Sequence, residues 1–303
     1  MNAYNATATA TPTMLPTRKV SDMIQLVSLS IGIPKLEVND PKAAADLAAD
    51  KGVAKGRIRV PKKLVVSPHL DACVQIEREA RAYLTSKTAQ YDRGRDMLLN
   101  DYIIDVVNTI RSYFQQLEQY RDAFLQDYPA QVARAQLELG DMFDETEYPP
   151  VDELRRKFRW SFIVEPMPSG DMRGNLEDGL RKELADMYEQ SMATRMQAAM
   201  QDIWQRLLKP LTNMSTRLVD KENGKPTGFH DTLVQNVLEI VEIMQAYNIA
   251  EDSTMEDIRL QLRAALDGVT SDALKASATL RAQTKQKIDT IIDSINKIPS
   301  LGW

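Results

Sequence analysis

A run of basic residues between positions 51 and 63 is the strongest chemical signal in the sequence. It contains no acidic residue, and its members are Lys51, Lys55, Arg57, Arg59, Lys62 and Lys63. Ile58 and Val60 alternate with Arg57 and Arg59, which predicts a short strand that ends at Pro61 and carries both arginines on one face. Cationic side chains on one face of a strand are typical of a surface that binds the phosphates of a nucleic acid.

A second basic run consists of Arg155, Arg156, Lys157 and Arg159, and Trp160 follows it directly. If its strand pairs with the first one, the two runs form one basic surface with an aromatic ring on which a base can stack. The alternative is that both runs are solvated faces of a sheet, in a protein whose net charge is −5. Trp160 alternates with Phe158 and Phe162, which places its ring toward the core and favours this alternative.

Acidic residues are concentrated around a turn near residue 148. They are Asp141, Asp144, Glu145, Glu147, Asp152 and Glu153. Neighbouring carboxylates can act as acid and base or hold a divalent ion. Their spacing does not match a calcium loop, because glycine is missing where the sharp turn would need it. We therefore expect a solvated acidic turn without a metal ion, in which Asp152 and Glu153 favour the N-terminal end of a short helix.

Residue types that usually carry catalysis are scarce. The two histidines, His69 and His230, each follow the start of a predicted helix, so a surface or capping role is expected and a Ser-His-Asp triad or histidine metal site is not. The single cysteine, Cys73, excludes an intramolecular disulfide and a cysteine zinc cage, and a buried structural thiol is expected. The sequence has no phosphate-binding loop, dinucleotide fingerprint or nucleophile elbow. We predict a protein that is not an enzyme and uses no cofactor.

The elements that must position these residues begin with a small base at residues 21–101. Alternating apolar residues predict a strand at Val27–Ile33. Ser67 and Pro68 predict the start of a helix that runs to about Thr85. The preceding residues, 1–20, are rich in Ala, Thr and Pro and predict a flexible N-terminal arm.

Two long amphipathic helices are predicted within residues 102–220, with a strand inserted at 158–165. The first runs from Tyr102 to Leu139, about 55 Å at the rise of an α-helix, with a coiled-coil-like 3-4 spacing of apolar residues. The second runs from about Leu176 to Val219. Its methionines form either an adaptable docking groove or ordinary core, and they are Met187, Met192, Met196 and Met200.

Three further helices are predicted within residues 229–298, at Phe229–Tyr247, Thr254–Leu266 and Ala276–Lys297. The expected fold class is α+β and predominantly helical. It would combine an extended hairpin of the two long helices, a small three-stranded β element and a C-terminal helical bundle. A hairpin of that length exposes a second apolar face, which predicts packing on the C-terminal helices or on another subunit, and hence a homo-oligomer.

Residues spread over most of the chain resemble a family of bacteriophage and prophage proteins that is known as a domain of unknown function. The features that carry the resemblance are Val27–Ile33, Lys62-Lys63-Leu64-Val65 with Pro68 and Leu70, Phe124, Tyr128-Pro129, Leu139-Gly140, Phe143, Tyr148-Pro149, Leu154, Phe158, Pro166-Met167-Pro168, Asp171, Arg173 and Leu280-Arg281-Ala282. These positions are structural, and the resemblance assigns no active residue.

The resemblance implies a viral protein of the host cytoplasm. Genes of this family often lie near genes for AAA+ ATPases and von Willebrand A-type proteins, so an ATPase or another phage or host protein is an implied partner. We expect a non-enzymatic component that works by self-assembly and partner binding, in DNA metabolism or a multi-protein complex. The alternative is a protein of phage replication or recombination that binds single- or double-stranded nucleic acid through a local basic patch. No membrane partner is expected, because no apolar run is long enough to span a bilayer.

Overall fold

A computed structural model describes residues 23–54, 56–168, 177–219, 232–248 and 252–298. The predicted N-terminal arm, Lys55 and His230 lie outside these residues. The described residues form an α+β fold that is predominantly helical, as predicted. In chain order its strands and α-helices are β1 (Ile24–Gly32), β2 (Glu37–Asn39), α1 (Pro41–Asp50), β3 (Pro61–Lys63), α2 (Pro68–Lys87), β4 (Ala89–Asp92), β5 (Arg95–Leu99), α3 (Ile103–Leu139), α4 (Val151–Lys157), β6 (Arg159–Pro166), α5 (Asp178–Arg217), α6 (Thr232–Tyr247), α7 (Ser253–Leu266), α8 (Ser271–Ala276) and α9 (Ala278–Asn296).

The strands form two sheets in the described part of the chain. The larger sheet has four strands in the order β4-β5-β1-β6, and β2 pairs with β3 in a separate two-stranded sheet. Antiparallel pairing places Ile24 opposite Leu99 and Val27 opposite Asp96. Gly32, at the end of β1, adjoins Lys157 and Arg159 at the start of β6. The predicted three-stranded element is thus not confirmed.

The strand predicted at residues 57–60 is absent, because these residues belong to a loop. Arg57 N–H donates to Ala54 O at 3.2 Å in a turn, and the strand begins only at Pro61. Proline has no N–H to donate but fits the first residue of a strand. The observed strand therefore begins at Pro61, the residue at which the predicted strand was expected to end. The hairpin of β4 and β5 was not predicted. Its signal was Gly94, whose φ of 94° at the turn suits glycine.

The chain folds into two compact units, each discontinuous in sequence. Unit 1 is built from residues 1–27, 86–102 and 164–303, and unit 2 from residues 28–85 and 103–163. The two long helices, α3 and α5, fall in different units, and their predicted pairing as one hairpin is not confirmed. Strands β1 and β6 each contribute residues to both units.

Unit 1 has an extensive apolar core around the C-terminal half of α5. Helices α6 and α9 and strand β4 pack on α5, and α7 packs on α6 and α9. Ile203, Leu207 and Leu211 of α5 are fully buried in this core. Apolar residues on one side of each helix explain this arrangement, since they recur at helical spacing and can be covered only by neighbouring helices.

Unit 2 is centred on α3, which packs on α4. Phe124 and Leu117 of α3 are fully buried, and the ring of Phe124 lies 5.9 Å from that of Phe158. Tyr128 donates a hydrogen bond to Pro149 O at 3.1 Å, which ties the middle of α3 to the turn before α4. These contacts hold the C-terminal part of α3 to the turn before α4 and to Phe158 at the end of α4.

None of the helices in the described ranges is both long enough and apolar enough to cross a membrane.

Candidate nucleic-acid interface

Lys62 does not belong to an accessible basic surface, contrary to the prediction. Its side chain is 6% exposed, and Nζ lies 2.7 Å from Glu147 Oε2 and 3.7 Å from Asp40 Oδ2. Nζ also donates to Met142 O at 2.5 Å. The hydrogen bond to Glu147 raises the pKa of Lys62, and the Ala43 N–H and Lys62 lower the pKa of Asp40. The alternation at residues 57–60 gave no indication that Lys62, on the strand that follows, points inward.

The other described residues of the first basic run are exposed, and of these Lys63 alone lies on a strand. Lys51 ends α1 and pairs with Asp50 at 3.1 Å. Arg57 and Arg59 are exposed in the loop between α1 and β3, and Lys63 is exposed at the end of β3. Arg59 lines a shallow groove whose opposite wall is the alanine-rich side of α1. Within this loop and strand, Arg57, Arg59 and Lys63 form no ion pair with another described residue.

The second basic run covers the end of α4 and the start of β6. Arg155 Nη1 lies 3.1 Å from Asp122 Oδ1, and Lys157 Nζ lies 2.9 Å from Glu153 Oε1. Arg156 and Arg159 are exposed, and neither pairs with an acidic residue of the described ranges. Two of the four cations are therefore already engaged, and two remain available to an anionic ligand.

Trp160 is half-buried and packs on α3, in agreement with its predicted orientation toward the core. Its ring lies 6.4 Å from the ring of Phe114, and the Arg121 guanidinium lies 5.1 Å from its centre. A cation at this distance over an indole face is stabilised by the ring quadrupole. Because Arg121 occupies this face, a base could stack on it only after Arg121 moved away.

Strand pairing does not join the two basic runs. Strand β3 pairs with β2, whereas β6 is the neighbour of β1 in the other sheet. The described residues of both runs nevertheless lie in unit 2.

Three of the six residues of the acidic cluster are engaged in structural contacts. Asp144 accepts hydrogen bonds from the N–H and hydroxyl of Thr146, which lower the pKa of its carboxyl group. Glu147 and Glu153 pair with Lys62 and Lys157, as described above. In the part of the chain that the structure describes, no group of three or more His, Cys, Asp or Glu residues is arranged to hold a metal ion.

The other candidate residues, which are Cys73, His69 and the methionines of α5, mostly pack against neighbouring side chains. Cys73 is fully buried in α2, and burial raises the pKa of its thiol to about 11, which makes it a poor nucleophile at neutral pH. His69 packs 6.3 Å from the ring of Tyr120. Of the methionines on α5, Met192, Met196 and Met200 pack partly against the core, whereas Met187 is exposed.

One surface was not predicted from the sequence, and this is the outer edge of β6. Period-2 alternation predicted the strand itself, but alternation cannot show which strand ends a sheet. All eight residues of β6 are at least partly accessible, and its apolar residues Ile163 and Val164 are 49% and 40% exposed. In the sheet order β6 has β1 as its neighbour and no other described strand beside it.

Comparisons of the chain with protein-family models, with curated proteins and with solved structures find no match.

Proposed function

We propose that the protein is a non-enzymatic, phage-type component that acts by self-assembly and partner binding in the host cytoplasm, within a complex of viral DNA metabolism. The observation that carries this proposal is the outer edge of β6, which has no second neighbouring strand among the described residues. An edge strand presents unpaired N–H and C=O groups, and proteins usually protect such an edge with lysine, proline, a bulge or a covering helix. Here the middle of the strand instead exposes Ile163 and Val164.

The N-terminal half of α5 supports the partner-binding part of the proposal. Leu180 and Met187 on this half are 45% and 59% exposed, while the C-terminal half of the helix is buried in the core of unit 1. A helix whose apolar residues are accessible can bind the apolar side of another helix, and methionine adapts readily to different partners. An AAA+ ATPase is the partner that the family resemblance implies.

The Ile163→Lys variant tests whether self-assembly uses this edge. We expect sedimentation velocity to show a concentration-dependent oligomer for the unchanged chain, and monomers for the variant at concentrations about tenfold higher. A lysine in the middle of an edge strand disfavours pairing with another strand, because the second strand would remove water from its charge. Leu260→Lys is the matched control, since Leu260 is also 49% exposed but lies on α7. A monomer at every concentration of the unchanged chain would contradict self-assembly.

The second candidate function is binding of single- or double-stranded nucleic acid. The specific observation in its favour is that Arg57, Arg59, Lys63, Arg156 and Arg159 are all exposed in unit 2 and form no ion pair with described residues. Cations that are not neutralised by the protein can release counterions from phosphates on binding. Lys62 is held in ion pairs and the ring of Trp160 is covered by Arg121, so this surface can offer only electrostatic contacts. We therefore expect weak, salt-sensitive binding without sequence preference.

The Arg57→Glu/Arg59→Glu double variant tests this second function. For a fluorescent oligonucleotide in low salt, we expect a Kd at least tenfold weaker, and a salt dependence whose slope falls by about 2 because two phosphate contacts are lost. The control is Arg263→Glu/Lys287→Glu, which changes the net charge equally at exposed positions of unit 1. Equal losses in both variants would indicate a general charge effect, and unchanged binding in the first would exclude this surface.

A further inference from the structure

The outer edge of β6, beside which no other described strand lies, has a sequence that complements itself when two copies run antiparallel. The strand reads Arg159-Trp160-Ser161-Phe162-Ile163-Val164-Glu165-Pro166. A cation stands near its first end and a carboxylate near its last end. Both side chains are exposed and belong to the odd-numbered face of the strand, because side chains alternate between the two faces.

Strand geometry restricts the ways in which two such edges can meet. Opposite residues of an antiparallel pair point to the same face of a sheet. With a two-fold axis perpendicular to the sheet, the axis must therefore pass through a residue and not between two residues. An axis at Ser161 places Arg159 opposite an isoleucine, and an axis at Ile163 leaves Arg159 without an opposite residue in β6. Only an axis at Phe162 pairs all seven residues from Arg159 to Glu165.

From this geometry we infer that β6 pairs with β6 of a second copy of the chain, antiparallel and centred on Phe162. Arg159 then lies opposite Glu165 of the partner subunit, and Glu165 lies opposite Arg159 of the partner subunit. On the same face Ser161 and Ile163 are opposite each other. On the other face Trp160 lies opposite Val164 of the partner subunit, and the two central phenylalanines meet. The two four-stranded sheets become one sheet of eight strands, which leaves neither β6 edge exposed.

Three observations support this register. The opposite charges form two equivalent ion pairs across the two-fold axis, a self-complementary arrangement that a homodimer requires. Pro166 lies just outside the paired segment, so its missing N–H removes no hydrogen bond from the new ladder. Glu165 lies 4.0 Å from Arg95 within its own chain, with both side chains about half exposed, and so weak a contact leaves the carboxylate free to pair with a partner.

The inference rests on the proposed self-assembly. Exchanging the charges of Arg159 and Glu165 tests the register separately from self-assembly. In sedimentation velocity we expect Arg159→Glu and Glu165→Arg each to weaken the dimer about tenfold, because each places like charges opposite each other at two equivalent positions. The double variant Arg159→Glu/Glu165→Arg restores opposite charges and should return the dimer Kd to within about threefold of the unchanged chain. Arg156→Glu, an exposed arginine outside β6, is the control that should leave the Kd unchanged.

A cysteine experiment reads the register directly. Opposite residues have Cα atoms about 5 Å apart, within the range of a disulfide, whereas diagonal neighbours are farther apart. A mixture of the Ser161→Cys and Ile163→Cys variants should therefore form a covalent dimer with an added oxidant faster than either variant alone. Cys73 is buried and does not compete. If the dimer Kd does not respond to the charge exchange and the mixed cysteine variants do not cross-link faster, this register is wrong but self-assembly stands. A chain that stays monomeric overturns both.

Discussion

Replacing Lys62 with methionine is expected to lower the free energy of unfolding by about 3 to 5 kcal/mol, as is typical when one partner of a buried ion pair is removed. Lys62 is buried between two carboxylates, Asp40 and Glu147, and it also donates to the backbone of Met142. Methionine fills much of the same space but leaves both acids without their cation. The contact links β3 to the acidic turn before α4, so the loss should affect unit 2.

Chemical denaturation of unit 2 can be followed through the reactivity of Cys73, which is fully buried in the native state and reactive only after unfolding. Lys63→Met is the matched control, because Lys63 is the exposed neighbour on the same strand, and its effect should stay within about 0.5 kcal/mol. An equally small effect at Lys62 would show that its ion pairs do not stabilise the fold.

The effect of Lys62→Met should also depend on pH. The raised pKa of Lys62 means that its contribution is complete below the ordinary value of 10.5 and is lost as the pH rises through the higher native pKa. The lowered pKa of Asp40 means that its contribution is complete above 3.8 and is lost as the pH falls through the lower native pKa. The difference in free energy of unfolding between the unchanged chain and Lys62→Met should thus be constant near neutral pH and shrink at both pH extremes.

Replacing Tyr247 with alanine is expected to destabilise unit 1 by about 3 to 5 kcal/mol, the range for deleting a large aromatic ring from a core. Tyr247 ends α6 and is 2% exposed. Its hydroxyl donates to Met97 O at 2.6 Å and lies 3.3 Å from Lys87 O, which joins α6 to β5 and to the end of α2. Burial raises the pKa of this hydroxyl, so it stays protonated and remains a donor at physiological pH.

Tyr247→Phe separates the hydrogen bond from the ring. This variant keeps the ring and leaves the buried Met97 carbonyl without its side-chain donor, so a loss of about 1 to 2 kcal/mol is expected in urea denaturation followed by circular dichroism. Tyr120→Phe, at a tyrosine that is 39% exposed, should change the midpoint little. Equal losses for Tyr247→Phe and Tyr247→Ala would mean that the hydrogen bond, and not the packing of the ring, dominates.

The sequence predicted those features that depend on residues close together in the chain. Apolar residues at helical spacing predicted α3 to end at Leu139, where the structure ends it, and alternation predicted β1 and β6. The short hairpin at residues 89–99 was missed, because strands of four and five residues offer too few alternations. The strand near residue 58 was misplaced by a few residues, because alternation of two pairs of residues does not define where a ladder begins.

The chemistry of the candidate residues depended on contacts that no spacing reveals. Lys62 and Lys63 are adjacent and chemically identical, yet one is buried between Asp40 and Glu147 and the other is exposed. The partners of Lys62 lie 22 residues before it and 85 residues after it, and only folding brings them together. Arg155 is likewise engaged by Asp122, which belongs to a different helix.

By itself, the sequence determined a helical α+β protein with few catalytic residue types and two basic runs, because composition and short-range periodicity report local structure. Only the tertiary structure decided which cations remain available, which half of α5 is covered, and that β6 ends its sheet. Burial, ion pairing and edge position are relations between segments distant in sequence. Phe124, Tyr128 and Phe158 pack together within unit 2, and the surface proposed for assembly begins directly after Phe158, on β6.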